Sequence, residues 1–185
     1  MGQHKDARNR NCVAGAVIDA MTDRRTLSVV TEPKTFTMNA SGSVLGRIYL
    51  GLDGEYFPDD EWYDFPVPVL SWWIECILNL LTGNGDECEL LFMDGPQFLH
   101  VAADKRDVWS VAFFRDLANR RSEPLFSPGE ATRLGSDHKY EISAKQFVTS
   151  MLEAARVVIA ECARRDWRSE SIGELERLKD RLQAL

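Results

Sequence analysis

Residues 66–82 can fold only in well-covered surroundings. Leu70, Trp73, Ile74, Ile77, Leu78 and Leu81 recur at helical spacing, which places them on one face of an α-helix. Val69, Trp72, Cys76 and Leu80 form a second apolar stripe beside the first. A helix apolar over so much of its circumference has to be covered on more than one side. Pro66 and Pro68 suit its first turn, where the amide hydrogens have no helical partner. Gly83-Asn84-Gly85 ends it. The run is too short to span a bilayer and carries Glu75.

The flanking segments supply the cover. Thr26–Met38 and Ser43–Leu52 read as strands around the Asn39–Gly42 turn, and Gly51–Asp64 reads as an acidic loop. Cys88–Met93 and Gln97–Ala103 are joined across Asp94-Gly95, a hairpin signal. Asp104–Asp107 then turns into Val108–Phe114, and such short connections make neighbouring strands antiparallel. Residues 115–140 are broken by Pro124, Pro128, Gly129 and Gly135, with room for one more edge strand.

Two helices close the chain. Ser143 and Gln146 form a capping box, with Ile142 and Phe147 placed as a hydrophobic staple. The buried face of that helix is Phe147, Met151, Leu152, Ala155, Val158, Ile159 and Cys162. Ser171 and Glu174 repeat the box ahead of Leu175, Leu178, Leu182 and Leu185 at a/d spacing. That stripe either docks on the chain's own core or forms a homodimer seam through Leu175, Leu178 and Leu182.

The 185 residues suit one domain. The expected fold is α+β. A mostly antiparallel sheet from residues 26–114 packs against the helix at about 66–82 and the helix at about 143–166, with a final amphipathic helix. A basic N-terminal arm at 1–25 precedes the domain at 26–166, and the last helix occupies 169–185.

Charge excludes some functions and suggests another. The chain is 44% hydrophobic, which argues against disorder, and its net charge of −7 argues against general nucleic-acid binding. Residues 48–103 contain no Lys or Arg but eleven carboxylates. The first 47 residues hold seven bases against four acids, and the remainder is balanced. Asymmetry of this kind bears on partners and association rates.

Catalytic templates fail. The chain has no G-x-S-x-G, P-loop, G-x-G-x-x-G dinucleotide motif or H-E-x-x-H, and nothing in it calls for a cofactor. His4, His100 and His138 lie far apart, and His100 reads as a half-buried, hydrogen-bonded strand residue. Cys12, Cys76, Cys88 and Cys162 show neither paired-ligand nor scaffold spacing, so they read as reduced thiols, mostly in the core. The N-terminus makes a poor secretory signal, and the expected compartment is the cytoplasm.

Residues 54–65 interleave five aromatics with five acids. Interface hot spots favour Trp and Tyr, and flanking carboxylates steer a basic partner. The expected partner-binding residues are Glu55, Tyr56, Asp59, Asp60, Glu61, Trp62 and Asp64, with Glu87 and Glu89 beside them. A metal-dependent hydrolase using Asp59, Asp60, Glu61 and Asp64 is one alternative, because hard cations take carboxylate oxygens. A non-catalytic structural subunit is another.

Gly46-Arg-Ile-Tyr-Leu-Gly-Leu52, Phe57-Pro-Asp-Asp-Glu-Trp-Tyr-Asp-Phe65, the Trp72-Trp73 helix and Cys88-Glu-Leu-Leu-Phe-Met-Asp-Gly-Pro96 carry a likeness. Over about residues 45–114 the chain resembles small bacterial immunity proteins of polymorphic and contact-dependent growth inhibition toxin systems. The shared style is an acidic α+β protein with W-x-D-F ahead of an apolar helix. The resemblance implies a non-enzymatic cytoplasmic inhibitor that binds one cognate toxin domain, often a basic nuclease. Binding residues vary between such systems, so none transfers by position.

Overall fold

A computed structural model describes residues 24–105, 107–115 and 139–185. The chain is α+β, with its strands divided between two antiparallel sheets. In the first sheet β3 (Val44–Leu52) is central, and every other strand pairs with it: β1 (Leu27–Thr31), β2 (Thr37–Met38), β4 (Glu55–Phe57) and β5 (Tyr63–Asp64). Leu50–Leu52 pair with both β1 and β4, which places those two strands on opposite edges of β3. Gly46 allows the buried Phe36 ring to lie against β3, because a Cβ there would run into it.

The second sheet is a meander of β6 (Glu87–Leu91), β7 (Phe98–Lys105), β8 (Val108–Phe114) and β9 (Tyr140–Ser143). β9 leads directly into α2 (Ala144–Arg164), and α3 (Glu170–Gln183) follows. The apolar helix α1 (Pro66–Leu81) packs against β3, β6, α2 and α3, which provides the many-sided cover its sequence demands. Val69, Leu70, Trp73, Ile74 and Ile77 are sealed completely, each such burial being worth roughly 1.5–3 kcal/mol. Leu81 and Trp72 depart from the two stripes and stand more than two-fifths exposed.

Side chains of α1, with Asp64 of β5 just before it, also cover the free edge of β6 and the turn that follows it. Asp64 accepts from Met93 N, Trp73 Nε1 donates to Leu91 O at 2.7 Å, and Cys76 Sγ donates to Glu89 O at 3.8 Å. Two carbonyls of this edge strand, those of Glu89 and Leu91, are thereby satisfied within the chain. On the other sheet, Ser150 of α2 accepts from Val29 N at 2.8 Å.

Several expectations need correction. Among the described residues there are two sheets rather than one. The segment read as a loop at 51–64 contains β4 and β5, because Asp53 and Gly54 both adopt positive φ and make a two-residue hairpin turn. A short 3-10 turn at Pro33–Thr35 breaks the first strand, since proline cannot donate to the ladder. α3 is capped by Ser169, whose hydroxyl accepts from Ile172 N, rather than by Ser171. Ser143 does cap α2.

Ile172, Leu175, Leu178 and Leu182 join the same core as α1 and α2, while Leu185 is exposed. A homodimer seam through Leu175, Leu178 and Leu182 would first have to uncover them. Residues 1–23 and 116–138, including the basic arm, Cys12, His4 and His138, lie outside the described residues.

Candidate functional site

The first sheet buries one face and exposes the other, and its central strand decides which side chains go where. Ile48, Leu50 and Leu52 turn into the core, so Arg47, Tyr49 and Gly51 turn away from it. Cross-strand neighbours share a face. Tyr56 is opposite Gly51, and Tyr63 is opposite Arg47. The outward face therefore carries Tyr49, Tyr56 and Tyr63 in one patch, with Arg47 among them.

Close contacts organise the patch. The Tyr49 and Tyr56 rings meet edge to face at 5.4 Å between centroids. A Cβ at Gly51 would press on the Ser28 hydroxyl, whereas the Tyr56 ring lies at ordinary contact distance from it. The Arg47 guanidinium lies over the Tyr63 ring at 5.7 Å and pairs with Glu32 at 3.3 Å and Glu61 at 3.2 Å. Tyr49 donates its hydroxyl to Glu32 at 3.1 Å. Burial, then the hydrogen bond to Glu32, pushes the Tyr49 phenol up to about 12. Tyr49 is thus a neutral, fixed floor, whereas Tyr56 and Tyr63 are each 44% exposed. Rigid, half-exposed tyrosines lose little entropy when a partner covers them.

Carboxylates rim this patch. Asp59, Asp60 and Glu61 are exposed in the loop between β4 and β5. Asp59 Oδ1 accepts from Glu61 N at 2.9 Å, which fixes the turn and leaves the loop's acids facing water. Asp60 is near enough to act on the Tyr49 phenol.

The remaining expected residues go elsewhere. Asp64 is wholly buried: Oδ1 accepts from Phe65 N at 2.7 Å, and Oδ2 accepts from Met93 N at 2.8 Å, Asp94 N at 3.2 Å and Trp62 Nε1 at 3.4 Å. It ties the loop to the β6–β7 turn and has no surface to offer a partner. Trp62 is half-buried against Phe92. Glu55 alternates to the opposite face from Tyr56, where burial first and Glu55 second raise the Tyr140 phenol. Glu87 and Glu89 stand on β6 in the second sheet, and Glu87 meets His100 Nε2 at 3.2 Å. His100 is half-buried and hydrogen-bonded in its strand, as its sequence context suggests.

Tyr49, Tyr63, Arg47 and Glu32 escape a reading based on acid density. The alternation of Val44–Leu52 and the Asp53-Gly54 turn signal would have found them. Among the described residues no three His, Cys, Asp or Glu side chains are grouped to hold a metal ion, so the hydrolase alternative has no geometric support there. No described helix is long and apolar enough to cross a membrane. No protein-family model, curated protein or solved structure matches this chain.

Proposed function

We propose that this chain is a binding protein of the immunity type, which neutralises a basic toxin domain by covering it with the outward face of the first sheet. The observation that carries the reading is the patch itself. Tyr56 and Tyr63 project from a fixed Tyr49 floor, Asp59, Asp60 and Glu61 rim them, and Arg47 among them is already held by two carboxylates. Exposed aromatic anchors supply affinity, while the surrounding negative charge raises the association rate and selects a cationic surface. The expected partner contacts are Tyr56, Tyr63, Asp59, Asp60 and Glu61.

Co-expression tests this reading. The polypeptide encoded beside the gene for this chain is induced in a bacterial host with and without the chain. Protected growth, lost on the Asp59→Lys/Asp60→Lys change, supports the proposal. Equal growth under all conditions, or protection indifferent to the charge reversal, counts against it.

A further inference from the structure

Two cysteines remain outside the function described so far. Cys76 lies one helical turn after Trp73, on the side of α1 that meets β6. Trp73 reaches Leu91 O and Cys76 reaches Glu89 O, so helix and strand stay flush over this stretch. Cys88 precedes Glu89 and shares its strand face with the buried Leu90 and Phe92. Its side chain therefore turns toward α1, beside the Glu89 carbonyl that Cys76 Sγ reaches at 3.8 Å. Both residues are half-buried, unlike the sealed Cys162, so a small reagent can reach them.

We propose that Cys76 and Cys88 form a reversible disulfide between α1 and β6 by exchange with a low-molecular-weight disulfide. The two thiols give up two electrons and two protons, and the reagent's S–S bond takes them and leaves as two thiols. In the first step the Cys76 thiolate attacks one reagent sulfur, forming a mixed disulfide and releasing a reagent thiolate that takes up a proton. Cys88 then loses its proton and attacks Cys76 Sγ, which closes the internal bond and expels the second reagent thiol.

The order follows from the contact. The neighbouring Cys88 thiol lowers the Cys76 thiol below the ordinary range against the opposing effect of burial, while the same pairing, and then burial, raises Cys88. Glu75 and Glu89 oppose the Cys76 thiolate. Cys76 is therefore the attacking sulfur and Cys88 the resolving one. The bond would close a short loop around the Gly83–Gly85 turn and fix α1 to the edge of the second sheet.

The full chain is incubated with rising ratios of oxidised to reduced glutathione, quenched by alkylation and mapped by peptide mass spectrometry. The expected product is a Cys76–Cys88 linked peptide pair, two hydrogens lighter than its reduced parts and reversed by dithiothreitol. In Cys88→Ser the glutathione stays on Cys76. Both wild-type thiols still open to alkylation at the highest ratio would overturn the proposal. So would wild-type glutathione adducts that never resolve, or pairing with Cys12 or Cys162. The wild-type map decides alone if the variant fails to fold.

Discussion

The Asp64 carboxylate accepts the backbone N–H of Met93 at 2.8 Å, across the boundary between the two sheets. Its other acceptor positions take Phe65 N, Asp94 N and the Trp62 indole. Asp64→Ala leaves these part-buried donors without their carboxylate acceptor. The expected loss is about 2–3 kcal/mol, the scale of one or two unsatisfied buried groups at ~1–3 kcal/mol each, because water reaches the exposed Met93 and Asp94. Urea unfolding measures it, and Asp64→Asn, which keeps one acceptor oxygen, should lie between the two.

Tyr49 gives a readout of the patch that needs no partner. Its phenol is buried and donates to Glu32, so it should ionise near 12, above the ordinary phenol range. Because the folded value is raised from 10.0, the stabilisation is complete below 10 and fades as pH climbs through 12. Ultraviolet difference titration of wild type and Tyr49→Phe should isolate this transition. Tyr49→Phe should cost about 1 kcal/mol, the net worth of an ordinary hydrogen bond.

At the far end of α2, Glu161 is held by Arg164 and Arg165, which bring its carboxyl down to about 2. Arg165 also donates to Phe36 O at 2.6 Å and Pro33 O at 3.0 Å, and stacks on Trp167. A carboxylate depressed from 4.5 contributes stability above that value and loses it as pH falls through about 2. Unfolding midpoints across this window should fall less steeply in Glu161→Gln than in wild type.

Leu178 of α3 is 3% exposed in the shared core. Leu178→Ala should cost about 2–5 kcal/mol. Truncation after Asp166 should lower the melting temperature at every protein concentration, with no change in oligomeric state by sedimentation. A mass change without a stability change would point to a seam between copies.

The sequence made the helices easier to read than the patch. The two stripes of α1 and the leucines of α3 are local, repeating signals whose period matches the structure that buries them. Strand partners are not local. Tyr56 and Tyr63 sit beside Tyr49 and Arg47 only because the Asp53-Gly54 turn sets the register of β4, and β5 then returns along β3. Acid counting marked Asp59, Asp60 and Glu61 but could not separate them from Asp64. The burial of Asp64 depends on a turn about thirty residues away. Serine capping shows the same limit: Ser169 and Ser171 are equally fit by type, and the end of α2 at Arg164 decides between them.

Calorimetric titration of the neighbouring-gene polypeptide into variants of this chain shows whether the tyrosine face carries the binding. Tyr56→Ala and Tyr63→Ala should each weaken binding at least ~30-fold, the scale of a 2 kcal/mol hot spot. Glu87→Ala and Glu89→Ala, on the other sheet, should leave it unchanged. Loss of binding through Glu87 and Glu89, with the tyrosine variants binding as wild type, would put the partner on the second sheet and rule out the tyrosine face as the binding surface.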